Sequence, residues 1–211
     1  MCLACSKSED YVYVDDTVPD SGKVSVTATD ANGNASELPV GATMGIYVTD
    51  GDGNVTLIEA EVGQDGTIIL PLDALGMQLA AYLPYQESWS NDAMTEPQVF
   101  QVESNQTTEA DYEASDLMIG TSAPTRSSTE MQFTHMLAQV VIHIFDETGA
   151  NDFRDCGVTL RQVNDAVTVD LGEQTVTTLP ESAGDIKMQP FVVSDRRLSL
   201  KAIVAPQQIE A

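Results

Sequence analysis

Four oxygen-bearing side chains in the first third of the chain have a spacing close to that of a calcium-binding loop. Asp50, Asp52 and Asn54 alternate with other residues, and Glu61 follows eleven positions after Asp50. Carboxylate and amide oxygens at such intervals are ligands that Ca²⁺ takes in a D-x-D-x-N…E loop. Val55 stands where that loop needs its central glycine, and strand patterns rather than helices flank the segment. A hairpin turn explains the same residues, so we predict no metal centre and keep the four only as weak candidates.

Two histidines are the residues best suited to acid–base chemistry, because an imidazole titrates near neutral pH. His135 and His143 lie eight positions apart in one predicted strand, and Asp146 follows closely. No motif places a serine or cysteine beside them, and the G-x-S-x-G, H-E-x-x-H and glycine-rich phosphate-loop signatures are absent. We interpret His135 as a hydrogen-bonded histidine at the edge of a core, and we predict no enzyme activity, no catalytic residue and no cofactor.

Three aromatic residues lie within eight positions of one another. Tyr82, Tyr85 and Trp89, with Gln86 between them, could form a flat platform that stacks on carbohydrate. The same residues would serve equally well as core packing followed by a tryptophan in a loop. Both interpretations remain open from the sequence.

The charge of the chain limits the classes of partner. Its 211 residues carry a net charge of −24, and residues 1–125 hold 21 acidic residues against only Lys7 and Lys23, a net charge of −19. Such a field repels nucleic acid and anionic membrane surfaces. We therefore predict no nucleic-acid partner.

The pattern of apolar residues indicates an all-β chain, with turns about every ten residues and almost no helical periodicity. We expect residues 104–115 to be a loop, 73–79 to hold one helical turn, and 131–145 to be one strand that passes from a half-buried to a fully buried position. The predicted strands are 23–29, 43–49, 55–62, 67–71, 78–85, 98–102, 131–145, 157–162, 166–171, 174–179, 186–191 and 198–204.

Four short motifs, taken in order, resemble the fimbrillin-like family of Bacteroidetes, which comprises surface lipoproteins and type V pilus subunits. They are LPVGATMGIYV at 38–48, AAYLPYQ at 80–86, DLMIG with F-x-H-x-L-A-x-V-x-I across 116–142, and IVAPQQI at 203–209. The resemblance covers most of the chain and implies two transthyretin-like β-sandwich domains in tandem.

On this resemblance we divide the chain into four parts. Residues 1–22 would carry a lipidation site and an acidic tether, 23–121 the first sandwich, 122–129 a linker and 130–211 the second sandwich. Family members continue well beyond the PQ segment, so we expect the second sandwich to be truncated. A strand from a neighbouring subunit would fill the open groove, as in pili of this type.

The first residues resemble the end of a lipobox. Leu3-Ala4-Cys5 places a small residue before a cysteine that would become diacylated, and Ser6 to Asp10 is similar to the tags of Bacteroidetes surface lipoproteins. The usual basic and apolar segments of a signal peptide are absent, so we expect the first residue to lie inside the signal peptide; the alternative is an ordinary tail with two cysteines. Thr17, in Asp16-Thr17-Val18, matches a short glycosylation pattern of these bacteria, and Cys156 is interpreted as a free buried or turn thiol.

The resemblance implies a non-enzymatic surface lipoprotein, anchored in the outer membrane through Cys5 and joined to other pilus subunits by strand donation. The best-understood shaft subunits mature by cleavage after an arginine, and none occurs here before Arg126. We therefore expect a tip, base or minor subunit, or an adhesin for a host or bacterial surface ligand. The alternative is a surface glycan-binding lipoprotein of a polysaccharide-uptake system.

Overall fold

The computed structural model describes residues 22–29, 34–122, 130–148 and 152–208. The strands of these residues are β1 (Lys23–Thr29), β2 (Ala35–Glu37), β3 (Thr43–Thr49), β4 (Val55–Glu61), β5 (Thr67–Ile69), β6 (Gln78–Leu83), β7 (Gln98–Gln101), β8 (Met118–Ser122), β9 (Glu130–His135), β10 (Ala138–Phe145), β11 (Thr159–Asn164), β12 (Ala166–Asp170), β13 (Thr175–Thr178), β14 (Ala183–Lys187), β15 (Gln189–Val193) and β16 (Arg197–Val204). A short α-helix, α1 (Glu109–Ala114), and two 3-10 turns (Leu72–Ala74 and Asn91–Met94) lie between them. The predicted all-β class is confirmed.

The first sheet holds eight strands in the order β2-β1-β9-β8-β6-β3-β4, and β5 also pairs with β1. β1 and β9 are parallel, whereas the other pairs of this sheet are antiparallel. In β1, Val24, Val26 and Ala28 are buried and the residues between them are exposed, as the alternation in the sequence predicts. The alternation of apolar and polar residues in the sequence therefore predicts which face of β1 is buried.

The central strands of this sheet are buried on both faces. In β3, Met44, Ile46 and Val48 pack into one core, while Tyr47 enters a second core that includes residues of the C-terminal half. Gly45 is required between them, because a Cβ at this position would lie 2.3 Å from the Tyr82 ring. The two halves of the chain thus share a core across this sheet.

The C-terminal half forms three smaller sheets. Their strand orders are β10-β16-β15, β11-β14 and β13-β12-β7. The first of these packs the inner face of β16, including Leu198, Leu200 and Ala202, into the shared core.

Strand pairing crosses the boundary predicted at residues 122–129. β9 follows that boundary in the chain but pairs with β1 and β8 of the first sheet. β7 precedes it but pairs with β12 of the C-terminal half. The placement of these two strands by sequence is therefore wrong, because backbone hydrogen bonds join each to the opposite half. The domain limits themselves stay a prediction, and residues 123–129 lie outside the described residues.

Two further elements differ from the prediction. The strand predicted over 131–145 is two strands, because β9 ends at His135 in the first sheet and β10 begins at Ala138 in another. β10 has no fully buried residue. The predicted loop at 104–115 contains α1, whose first turn is capped by the Thr108 hydroxyl accepting from Asp111 N–H.

Candidate interaction surface

The four calcium candidates do not form one site. The Asp50 carboxylate accepts hydrogen bonds from the N–H groups of Asp52 and Asn54 at 2.9 and 2.8 Å and from Asn54 Nδ2 at 2.8 Å. The bond from the Asn54 amide lowers the pKa of the Asp50 carboxyl. Glu61 pairs with Thr43 at the other end of the hairpin, roughly 20 Å from the turn at the usual rise per strand residue. Asp50, Asp52 and Asn54 therefore build a turn, and Glu61 does not join them.

The two histidines lie on different sheets, so they cannot act together. His135, at the end of β9, places Nδ1 2.9 Å from Asp116 Oδ1, and both side chains are half-buried. His143, in β10, places Nδ1 2.8 Å from Ser199 Oγ on an exposed sheet face. The first contact pairs an imidazole with a carboxylate and the second pairs an imidazole with a hydroxyl.

The three aromatic residues do not form an exposed platform, and Tyr85 is partly buried against the shared core. Trp89 is 3% exposed and Tyr82 is fully buried, with their ring centroids 4.5 Å apart. Burial raises the pKa of the Tyr82 hydroxyl, and Tyr47 Oη donates to Ser90 O at 2.9 Å within the same group. A ring enclosed in this way has no free face for a sugar, so these aromatics are core residues.

The predicted modification sites lie outside the described residues, since Cys5 and Thr17 belong to 1–21. Cys156 is exposed in a turn, where its N–H donates to Phe153 O at 3.1 Å. None of the helices in the described part of the chain is long and apolar enough to cross a membrane.

The outer surface of the sheet β10-β16-β15 carries an exposed apolar group that we call the aromatic face, made of Val141, His143, Phe145, Phe191 and Arg197. Phe145 is 63% exposed and Phe191 is 47% exposed. The His143 ring meets Phe191 edge-on at 6.1 Å, and the Arg197 guanidinium lies 5.4 Å from the centre of the Phe145 ring. Exposed aromatic side chains grouped with arginine are typical of protein interfaces.

The other end of the same sheet is covered by α1. Lys201 Nζ lies 3.9 Å from the centre of the Tyr112 ring and 3.2 Å from Glu109 Oε1, and Gln139 Nε2 donates to Tyr112 Oη at 2.6 Å. Gln189 Nε2 donates to Glu109 Oε2 at 2.6 Å and lowers the pKa of that carboxyl. The helix therefore covers one end of the sheet and stops short of the aromatic face.

The free edge of β10 lies beside this face. Asp146 N–H donates to Arg196 O at 3.0 Å, and antiparallel hydrogen bonds alternate along a strand. The even-numbered residues of β10 thus bond to β16, and the backbone N–H and C=O groups of Gln139, Val141, His143 and Phe145 point to the opposite edge. Within the described residues no strand pairs with that edge. The eight-residue strand is open to a further strand.

Sequence reasoning missed this surface. The apolar run that ends at Phe145 predicted burial on both faces, and nothing local distinguishes a covered face from an open one. Phe191 and Arg197 come from β15 and β16, and only the sheet brings them beside β10.

Comparison with known proteins identifies the family. The sequence model of the fimbrillin-like family matches residues 12–211, and a search of curated proteins finds no match. A candidate cell adhesion protein of Bacteroides ovatus is 12% identical, with a TM-score of 0.62 over 91% of this chain and 81% of its own. One from Bacteroides uniformis is 22% identical, with a TM-score of 0.55 over 88% and 76%. One from Bacteroides thetaiotaomicron is 14% identical, with a TM-score of 0.51 over 88% and 76%.

These three likenesses concern the fold alone, because each identity is low. The family match, by contrast, covers nearly the whole sequence, and the all-β fold agrees with it. The chain belongs to the fimbrillin-like family.

Proposed function

We propose that this chain is a non-enzymatic cell-surface protein that works in fimbriae, as a tip, base or minor subunit or as an adhesin. Membership of the fimbrillin-like family supports the fimbrial role. We further propose that a lipid on Cys5 anchors it in the outer membrane and that it joins other subunits by accepting a strand. Its ligand on a host or bacterial surface would be bound without catalysis.

The unpaired edge of β10 is the observation that carries this proposal. An added strand would find outward-pointing N–H and C=O groups at alternate residues, and every bond it made would replace one to water. The aromatic face beside the edge would gain apolar contact from the side chains of the added strand. An edge of this length and apolarity, if left open, would be an aggregation hazard.

A proline at the edge tests strand addition. Val141→Pro removes an N–H that points away from β16, a position where an edge strand tolerates proline, so the fold should persist. Val141→Thr changes the same side chain and keeps the N–H, which makes it the matched control. Each variant would be expressed in a strain of the source bacterium, and sheared surface fractions would be examined for SDS-resistant ladders.

We expect Val141→Thr to enter ladders and Val141→Pro to remain a single species with a nearly unchanged melting temperature. Ladders formed equally well by a folded Val141→Pro protein would refute strand addition at β10. The anchor is tested separately, by mass spectrometry of Cys5 in protein from a longer precursor; an unmodified thiol there would remove the lipid from the proposal.

The glycan-binding alternative has lost its support, because Tyr82 and Trp89 are buried and Tyr85 is partly buried against the same core. No other described feature favours it.

A further inference from the structure

A second surface lies between α1 and one end of the first sheet. Two adjoining clefts of about 180 and 170 Å³ open there, and both are lined by Pro39, Glu113, Asp116 and Met118. We call this pair the helix cleft. Each part is smaller than a site for a drug-sized ligand and is the size of one or two side chains.

The floor of the helix cleft is apolar. Leu83 and Met118 come from the ends of β6 and β8, and Leu38 comes from the segment after β2; all three are at most 4% exposed as residues. Packing in the first core therefore holds the floor residues in place, and apolar groups of a ligand would bind favourably against them.

The rim of the helix cleft is acidic. Glu37, Glu109, Glu113 and Asp116 line it, and His135 is its one basic group among the lining residues. His135 contacts Asp116, and Glu109 is occupied by Lys201 and Gln189. No ion pair in the described part of the chain involves Glu37 or Glu113. Two of the four carboxylates thus have no cation in contact.

Glu113 shows the electrostatic cost of this arrangement. Partial burial beside the cleft, and then the charge of Glu109, raise the pKa of its carboxyl, and Asp116 adds to the effect. Lys201 opposes it without reaching contact distance. A cation in the cleft would relieve this repulsion and would be held partly out of water, where its attraction to a carboxylate is stronger.

The edge of β2 completes the surface. Among the residues that the structure describes, β2 pairs only with β1 and ends the order of the first sheet, and its residues Ser36 and Glu37 line the cleft. An extended backbone laid along β2 could hydrogen-bond to that edge while its side chains enter the two clefts.

We propose that the helix cleft binds an extended peptide segment of another protein that carries lysine or arginine between apolar residues. The charge of the rim selects the cation, the floor selects the apolar neighbours, and the β2 edge selects an extended backbone over a free amine. Tyr112 of the cleft lining accepts a hydrogen bond from Gln139 of β10, but strand addition would use the opposite edge of β10, so either proposal can fail without the other.

Binding of a labelled, capped Leu-Lys-Leu-Lys-Leu peptide to the full chain, followed by fluorescence anisotropy at physiological ionic strength, tests the proposal. Glu113→Gln removes the unpaired carboxylate, and Ala114→Lys places a cation at a residue that lines the cleft. Glu173→Gln and Ala110→Lys make the same charge changes at exposed residues that do not line it. Circular dichroism melts of all four variants check that they fold.

We expect Glu113→Gln and Ala114→Lys each to weaken binding about tenfold, the loss usual for one charge-assisted contact, and the two controls to change it less than about twofold. Absence of peptide binding would overturn the proposal. Equal losses of affinity in the control and cleft variants would also overturn it, because they would show a general attraction of the peptide to an acidic protein. Spermidine serves as a competitor. If it displaces the peptide at similar concentrations, and if the same variants weaken its binding, the ligand would be a small polyamine and the peptide proposal would be overturned.

Discussion

Gln106 joins the two halves of the chain through a hydrogen-bonding arrangement that a single substitution can test. Its fully buried side chain donates from Nε2 to Ile203 O at 2.8 Å and to Glu103 O at 3.1 Å, and its Oε1 accepts from Ile203 N–H at 2.8 Å. Ile203 lies opposite Gln139 of β10, so its N–H and C=O point away from that strand. β15 pairs with β16 only as far as Lys201. The Gln106 amide therefore takes the place of a missing strand partner.

Gln106→Met keeps the size of the side chain and removes both polar ends. The N–H and C=O of Ile203, which is 2% exposed, would then be buried without partners. Each such group costs about 1–3 kcal/mol, so we expect the free energy of unfolding to fall by roughly 2–6 kcal/mol. For a chain of this size that corresponds to a melting temperature lower by about 4 °C or more.

Urea unfolding followed by tryptophan fluorescence measures this loss, because Trp89 is the single tryptophan and is buried in the shared core. Gln78→Met, at an exposed position in β6, is the control and should change the free energy of unfolding by less than about 0.5 kcal/mol. A loss below about 1 kcal/mol for Gln106→Met, with an unchanged m-value, would show that the amide is not a substitute strand partner.

Two further predictions concern the first sheet. Gly45→Ala should lower the free energy of unfolding by about 1–3 kcal/mol in the same urea experiment, since the new methyl group would overlap the buried Tyr82 ring; an unchanged value would mean that the ring moves freely. Asp65, whose carboxylate contacts Lys23 Nζ at 2.7 Å, should titrate with a pKa of about 2 in an NMR pH series, because the hydrogen bond from Lys23 stabilises its charged form. This depressed pKa means that the pair stabilises the fold above the ordinary carboxyl pKa and that the contribution is lost as pH falls towards 2. Lys23→Met should return the titration to the usual carboxyl range, and a midpoint that does not move would contradict the assignment.

Local patterns in the sequence predicted much of the first sheet. β1 and β3 have the predicted bounds, and β4 ends one residue before the predicted end. Their alternation and the turn residues between β3 and β4 are properties of neighbouring residues, which is why they can be read without a fold. The four motifs identified the family for the same reason, because they are short runs within strands or beside them.

Prediction failed where a residue depends on distant partners. Trp89 could be assigned to a platform or to core packing, since its residue type does not reveal what encloses it. At Asp50 and Asn54 the sequence favoured a hairpin turn over a calcium loop, but only the pairing of Glu61 with Thr43 fixed how far Glu61 lies from the turn. β7 and β9 were each placed in the wrong half, because strand pairing is set by hydrogen bonds between segments far apart in the chain.

The sequence by itself determined that this protein is all-β, strongly acidic and fimbrillin-like, with no catalytic motif. Alternation reports the face on which a side chain lies, but it does not report what covers that face. The tertiary structure decided that the polar turn at Asp50 holds a hairpin, that Trp89 and Tyr82 are core residues, and that no strand in the described ranges covers the outer edge of β10. Those outcomes depend on which strands pair, and the free energy of pairing depends on contacts between segments that are far apart in the sequence.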